Sequence, residues 1–272
     1  MIPKEFGIDG SVAVVTGAGR GIGRAISLVL AEGGADVVVA SRTVSEIEET
    51  ANEVQKLGRR AIAVKTDVTK SEQVENLIKR TVEEFGKVDI LVNNAGVSHP
   101  KQLVAVPGVK FPGWKRVKDP DHSLSDEEWM LTMDSNVNSI FYGTRAVGPY
   151  MLKQRSGKII NISSNSAVVG VGCFVPYNTS KAAVCMLTRC LAIEWAPFNI
   201  NVNAIGPGDF YTKLAADKYE NADLKADMLS QIPMGYTGDL RDLGLLALYL
   251  ASPASNYMTG QTIFLDGGSS AL

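Results

Sequence analysis

The sequence carries almost no net charge, with 27 basic against 29 acidic residues and a formal charge of −2 over 272 residues. No electrostatic excess calls for a nucleic acid or an anionic membrane surface as partner. Long hydrophobic runs are missing as well. The longest aliphatic stretches, such as Val37-Val38-Val39-Ala40, fall far short of the roughly 18 apolar residues of a membrane-spanning helix. The first residues, Met1-Ile2-Pro3-Lys4-Glu5-Phe6, lack the apolar core of a signal peptide. Cysteine is scarce, 3 in all. An odd number without Cys-x-x-Cys spacing argues against a disulfide framework or a zinc site, and a reducing cytoplasm is the expected location. Disorder is disfavoured too, since 45% of residues are hydrophobic and 21% charged, as in an ordinary globular chain. What the sequence does have is 26 glycines, and their positions carry more information than their number.

Short β-branched runs alternate with longer amphipathic stretches. Val12–Thr16, Val37–Ala40, Ala61–Val64, Ile90–Val92, Lys158–Ile162 and Ile200–Ile205 read as buried strands. Continuous apolar strands fit a sheet covered on both faces, which favours parallel pairing. Val74, Leu77, Ile78, Val82 and Phe85 fall near helical spacing and form one apolar face. Thr43 with Glu46, Thr69 with Glu72 and Ser125 with Glu128 have capping-box spacing at three predicted helix starts. The repeating β–α order predicts a doubly wound, Rossmann-like α/β fold with a parallel sheet, in a single domain. Residues 97–123 break the rhythm, being rich in Pro, Gly and charge with little periodicity.

The first predicted strand runs into Thr16-Gly17-Ala18-Gly19-Arg20-Gly21-Ile22-Gly23 and then into an apolar helix. Glycines let the chain turn tightly and bring backbone close to a pyrophosphate, which the helix N-terminus then meets with free N–H groups. The spacing is Gly-x-x-x-Gly-x-Gly rather than Gly-x-Gly-x-x-Gly, and a glycine cluster alone also fits a plain tight turn. Its place between strand and helix favours a nucleotide. NAD sites usually put an acidic residue at the end of the second strand, on the ribose 2′-hydroxyl. That region here reads Ala40-Ser41-Arg42-Thr43, with no acid. Arg42, with Arg20 as a second cation, can meet a 2′-phosphate through charge-assisted hydrogen bonds. NADP(H) is therefore expected over NAD(H), the competing reading being two solvated surface arginines.

Ser163-Ser164 follows the strand ending at Ile162, and Tyr177-Asn178-Thr179-Ser180-Lys181 opens an apolar helical stretch. Residues four apart share a helix face. A lysine ammonium beside a tyrosine hydroxyl favours the phenolate and lowers the tyrosine pKa from about 10. A tyrosine so tuned exchanges a proton with a carbonyl or alcohol oxygen near neutral pH, and Ser164 can hold the same oxygen. Such a pair is frequent by chance and equally fits an exposed helical surface. The coincidence of glycine loop, Ser, Tyr, Lys and element order favours chemistry.

These motifs resemble the short-chain dehydrogenase/reductase family from Gly10 to Gly268. The resemblance rests on Thr16-Gly17-x-x-x-Gly21-x-Gly23, Asp67-Val68, Asn93-Asn94-Ala95-Gly96, Asn136, Ser164, Tyr177-x-x-x-Lys181, Pro207-Gly208 and Asp266-Gly267-Gly268. It implies Tyr177 as catalytic acid/base and Ser164 as the group orienting the substrate oxygen. Lys181 would bind the nicotinamide ribose and tune Tyr177, and Asn136 would support a water-linked proton path to Lys181. Gly17, Arg20, Gly21, Ile22, Gly23, Ser41 and Arg42 would hold the dinucleotide. Asp67 and Val68 would flank the adenine, the turn Asn93, Asn94, Ala95 and Gly96 would support the cofactor, and Pro207, Gly208, Phe210 and Thr212 would meet its nicotinamide end. The family also implies hydride transfer with a small-molecule alcohol or ketone, and commonly a homotetramer. The nearest flavour is that of gluconate 5-dehydrogenase-like and 3-oxoacyl-carrier-protein-reductase-like enzymes, through Glu194-Trp195-Ala196, the stretch from Asn201 to Gly208 and Thr259-Gly260-Gln261-Thr262. Substrate does not follow from such flavour, because variable loops read it.

Residues 97–123 look like an insertion relative to the family. They hold Phe111, Trp114 and both histidines, His99 and His122. Acids match cations between 101 and 128, so nucleic-acid binding through this loop is disfavoured, and two histidines without a third ligand favour a plain surface over a metal site. The loop is expected to line the substrate pocket or a subunit contact. Residues 209–234 are expected to form a substrate lid. Cys173 and Phe174 are placed to face substrate, although a small packing role suits Cys173 equally. Two rivals to an NADP(H)-dependent alcohol/ketone oxidoreductase are a non-catalytic NADP(H)-sensing protein on the same fold and an enoyl reductase. The first need not keep a proton donor, and the second usually spaces its Tyr and Lys further apart.

Overall fold

A computed structural model of the chain describes residues 4–106, 108, 122–212 and 222–271. Seven parallel strands form one sheet in the order β3-β2-β1-β4-β5-β6-β7. They are β1 (Val12–Thr16), β2 (Asp36–Ser41), β3 (Ala61–Lys65), β4 (Ile90–Asn93), β5 (Gly157–Ile162), β6 (Ile200–Pro207) and β7 (Thr262–Leu265). The first six are the strands expected from β-branched runs, β1 with the same bounds and the other five extended by one or two residues. β7 is not among the expected strands; it is Thr262-Ile263-Phe264-Leu265, four partly buried residues at the sheet edge.

Side chains alternate between the two faces of the sheet, as the pleat requires. Ala13, Val15, Val37 and Val39 pack on one side with Ile26 and Leu30 of α1 (Gly21–Glu32), Ile47 and Val54 of α2 (Val44–Lys56), and Leu243 and Leu250 near the C-terminus. Val14, Val38 and Val202 pack on the other. There they meet Leu77 and Ile78 of α3 (Ser71–Phe85), and Val147 and Met151 of α5 (Ser139–Gln154). Burial on both faces explains why the strands read as unbroken apolar runs. The predicted α3 face holds, with Val74, Leu77 and Ile78 buried and Val82 and Phe85 packed beside them.

One of the three expected capping boxes forms. Ser125 caps α4 (Asp126–Met133) by accepting from the Glu128 amide while the Glu128 carboxylate accepts from the Ser125 amide. Thr43 makes no side-chain cap bond on α2. Thr69 donates instead to Asp67 Oδ1 at 2.8 Å, and Lys70 takes the N-cap position of α3. Spacing alone does not decide a cap when another acceptor stands closer.

The chain reverses direction across the sheet between β1 and β4, so the loops leaving their C-terminal ends part and open a crevice there. α6 (Val175–Trp195) follows β5, and α7 (Ala222–Ser230) and α8 (Leu240–Ala251) lie near the C-terminus. Positions 107 and 109–121 of the expected insertion, with Phe111 and Trp114, and positions 213–221 of the expected lid lie outside the described residues. Among the described residues no helix is long and apolar enough to cross a membrane.

Candidate active site

The crevice is built first by side-chain to backbone hydrogen bonds between the end of β1 and the loop after β4. The Thr16 hydroxyl accepts from the Asn94 amide at 3.0 Å and the Ala95 amide at 3.1 Å, tying the loop after β4 to the end of β1. The Asn94 side-chain amide donates to the carbonyls of Thr16 (2.8 Å) and Gly17 (3.2 Å). Gly17 has φ +64, and a side chain on it would meet Asn94 Nδ2 at 2.8 Å. A side chain on Gly23 would collide with the Gly17 carbonyl and the Asn94 amide. Both glycines are demanded by close approach, and Gly17 also by its left-handed backbone.

α1 then starts at Gly21 with no side-chain cap and no acidic residue in its first turn. Its first amides and the positive end of its dipole face the crevice, an arrangement that fits a dinucleotide pyrophosphate. Ile22 is partly buried against the core behind this turn. Thr212 brings its methyl to 3.5 Å from where a Gly21 side chain would start, so Thr212 lies beside the glycine loop. Gly208, at the end of β6, donates its amide to the Leu265 carbonyl at 2.9 Å. Pro207 is buried, and the Phe210 ring is packed in the core against Gly238. Asn93 lies deeper, donating to Asn161 Oδ1 at 2.9 Å.

Ser41, the last residue of β2, is half-buried, and Arg42 just beyond it is exposed. Asp67 and Val68 follow β3 and are partly buried. Burial pushes the Asp67 carboxyl up, but hydrogen bonds from the Thr69 hydroxyl and amide, with the charges of Arg42 and Lys70, outweigh it and hold it below the usual carboxylate range. Arg20 does not stand alone, since its guanidinium lies 3.4 Å from Glu46 Oε1.

On the opposite wall, Lys181 is only 4% exposed. Its Nζ donates to the Ile162 carbonyl at 2.8 Å and lies 5.6 Å from the centre of the Tyr177 ring. Burial pushes its pKa down to about 8, with a smaller opposing effect from Cys185. Ser164 leaves β5 two residues after Ile162, and its hydroxyl accepts from the Ser166 amide at 3.1 Å. Ser163 donates to the Lys181 carbonyl at 2.9 Å, so β5 and α6 are pinned where Ser164, Tyr177 and Lys181 sit.

Asn136 lies in a π-helical stretch (Asp134–Asn138) between α4 and α5 and is 1% exposed. Such stretches are frequent at functional sites. Its side chain accepts from the Val97 amide at 2.8 Å and donates to the Val97 carbonyl at 3.0 Å and to Ser180 Oγ at 2.9 Å. Ser180 in turn donates to the Tyr177 carbonyl at 2.7 Å. A side chain on Gly96 would stand 3.0 Å from Asn136 Oδ1 and 3.6 Å from Lys181 Nζ, so the loop after β4 reaches the α6 wall. Thr16 and Ser180 have no role of their own in the sequence motifs, and Asn94, expected only to support the cofactor, also ties the glycine loop to the end of β4. Their hydrogen bonds span 78, 44 and 78 residues of chain.

Cys173 is buried with Phe174 against Val171 and Tyr177, and it adopts φ +66, a strained conformation for a non-glycine residue. Burial also pushes its thiol pKa up. Its carbonyl accepts from the Lys101 amide at 2.7 Å, and Lys101 Nζ lies 2.9 Å from Glu128 Oε1. The first residues of the 97–123 segment are thus fastened to the turn beside Tyr177. Among the described residues no group of three His, Cys, Asp or Glu side chains is placed to hold a metal ion.

Comparison with known proteins agrees with this geometry. Residues 11–223 match the family model described as short chain dehydrogenase. The 2-dehydro-3-deoxy-D-gluconate 5-dehydrogenase of Dickeya dadantii is 38% identical over 270 residues, 98% of each chain. The 3beta-hydroxysteroid dehydrogenase 1 of Eggerthella lenta is 36% identical, covering 96% of this chain and 94% of its own. A gluconate 5-dehydrogenase from Burkholderia cenocepacia J2315, solved in complex with NADP and tartrate, superposes with a TM-score of 0.89 at 32% identity, covering 99% of this chain and 98% of that one. This chain belongs to the short-chain dehydrogenase family and is an oxidoreductase that interconverts alcohols and ketones.

Proposed function

We propose that the chain is an NADP(H)-favouring dehydrogenase/reductase in which Tyr177 is the acid/base, Ser164 holds the substrate oxygen and Lys181 tunes Tyr177. The observation that carries this reading is the buried Lys181 amine over the Tyr177 ring, anchored on Ile162 at the strand end that leads to Ser164. A bound nicotinamide dinucleotide supplies or accepts the hydride. In reduction, the Ser164 and Tyr177 hydroxyls donate hydrogen bonds to the carbonyl oxygen, and Tyr177 passes its proton to that oxygen as it becomes an alkoxide. In oxidation, the phenolate of Tyr177 takes the alcohol proton. Asn136 holds the loop at Val97 against α6 through Ser180, and on the family pattern it supports proton resupply to Lys181.

Arg42, with no acid at the end of β2, supports the NADP(H) preference, as does the NADP bound by the Burkholderia relative. Relatives of similar identity are named for a sugar acid and for a steroid, so the substrate class proposed here is a small secondary alcohol or ketone. The segments 97–123 and 209–234 would read it, as pocket wall and lid. A homotetramer is consistent with apolar side chains left exposed on α5 and α6, namely Phe141, Met186 and Ile193. A cytoplasmic location is consistent with the free thiols of Cys173, Cys185 and Cys190.

The test is NADPH oxidation across a panel of sugar-acid ketones, steroid ketones and 3-oxoacyl thioesters, with the Tyr177→Phe variant alongside. Turnover that disappears in Tyr177→Phe, with NADPH binding retained, is the expected result. Full activity in that variant would refute the assignment, and binding without turnover on the whole panel would favour a nucleotide sensor.

A further inference from the structure

Glu46 has capping-box spacing with Thr43, yet Thr43 makes no cap bond and the Glu46 side chain turns back over the glycine loop. A methyl placed on Gly19 would stand 2.7 Å from Glu46 Cβ, 3.1 Å from Glu46 Oε2 and 3.4 Å from Ser41 Oγ. Glu46 Oε1 is 3.4 Å from Arg20 Nη1, in a pair whose side chains are 27% and 56% exposed. A carboxylate and a hydroxyl therefore stand against the outer face of Gly19, beside the end of β2, with the Arg20 guanidinium paired to that carboxylate. Arg42 stands on the same stretch, near enough to Asp67 to bias its carboxyl.

We propose that Glu46 is a specificity-determining residue for the dinucleotide, a resident anion that occupies Arg20 where a 2′-phosphate would bind. The inference rests on the reading of this crevice as a dinucleotide site. The end of β2 lacks the acid that would accept a ribose 2′-hydroxyl, and the first turn of α2 supplies one from the side. A carboxylate there accepts from a 2′-hydroxyl and repels a 2′-phosphate. The phosphate gains Arg20 only when Glu46 lets go. The pair is long and half exposed, so releasing it costs little. Glu46 thus moderates the NADP preference set by Arg42 and keeps NAD within reach. Gly19 is part of the device, because its bare backbone gives the Glu46 side chain room to lie against the loop.

The experiment is calorimetric titration of the full chain with NADP⁺, NAD⁺ and 2′,5′-ADP, for the wild type, Glu46→Gln, Glu46→Lys and Arg42→Asp, with unfolding temperature confirming that each is folded. Glu46→Gln should tighten NADP⁺ and 2′,5′-ADP by about three- to tenfold and weaken NAD⁺, and Glu46→Lys should move the ratio further the same way. An unchanged NADP⁺/NAD⁺ ratio in both Glu46 variants overturns the proposal. If Arg42→Asp still lowers NADP⁺ affinity in that case, the dinucleotide reading stands and the role of Glu46 alone is lost. A wild type that binds none of the three removes both.

Discussion

The Lys181 amine sits 5.6 Å from the centre of the Tyr177 ring, one helical turn away on α6, with its proton shared to the Ile162 carbonyl. The lysine is held by backbone rather than by a carboxylate, so its charge is not cancelled locally and remains available to favour a phenolate. Burial brings its pKa to about 8, so it stays cationic at neutral pH and loses its proton in mild alkali. Lys181→Met should lower kcat for alcohol oxidation by about 10²-fold or more. The remaining activity should rise only at higher pH than in the wild type, because Tyr177 then ionises without a neighbouring cation. A pH profile of kcat checks this, and an unshifted profile would show that Lys181 only positions the helix.

Gly23 and Gly21 differ in what a methyl would meet. At Gly23 it would strike the Gly17 carbonyl and the Asn94 side-chain amide, which are hydrogen-bonded to each other. At Gly21 it has 3.5 Å to Thr212, and the strain comes from φ +54 alone. Gly23→Ala should therefore destabilise the fold by about 2–3 kcal/mol and abolish dinucleotide binding, as overpacking against fixed atoms does. Gly21→Ala should cost about 1–2 kcal/mol, the ordinary cost of a left-handed non-glycine residue. Chemical unfolding of the two variants compares them directly, and a Gly21→Ala variant equal to or worse than Gly23→Ala would contradict this ranking.

Much of this architecture is legible in the sequence because it is set locally. Six strands announce themselves by β-branched runs that alternate burial between the two faces of the sheet. Ser164, Tyr177 and Lys181 are legible because strand end and helix turn bring short spacings together. β7 is missing from the expected strands although Thr262-Ile263-Phe264-Leu265 is itself a short apolar run, because four residues lie at the lower limit of a strand signal. Two capping boxes fail because a competing partner was nearer: Asp67 for Thr69, and the glycine loop with Arg20 for Glu46. The roles of Thr16, Asn94 and Ser180 are hidden for a different reason. Each bonds across dozens of residues, and only the folded sheet reveals the partner.

The link between Lys101 and Cys173 joins the start of the 97–123 segment to the turn beside Tyr177. Replacing residues 103–118 by a short Gly-Ser linker keeps that anchor and removes most of the segment. KM for the best substrate should change by about tenfold or more, while the dinucleotide Kd stays within about twofold. A change confined to oligomer size, seen by light scattering, would assign the segment to a subunit contact. Neither change would remove it from both.

Lys158 offers a test of electrostatics away from the chemistry. It lies on β5 with its amine donating to Asn256 Oδ1 at 2.9 Å and Ser255 Oγ at 3.4 Å, and burial pushes its pKa down to about 8. The unfolded chain would hold that proton until about pH 10.4. Between these values the unfolded state binds more protons, so this group makes stability rise with pH. Below about pH 8 the full cost of burying the charge is present. Lys158→Met removes that cost together with two hydrogen bonds. After allowance for partial solvent access, it should stabilise the protein by about 1–2 kcal/mol at pH 7, or about 2–5 °C in Tm. The gain should shrink toward pH 10.5, where the wild-type lysine is neutral in the folded state and about half neutral in the unfolded chain. Lys181 titrates in the same window but is common to both proteins, so the difference between their melting curves isolates Lys158. A variant that melts below the wild type at pH 7 would mean that the bonds to Asn256 and Ser255 outweigh the burial of the charge.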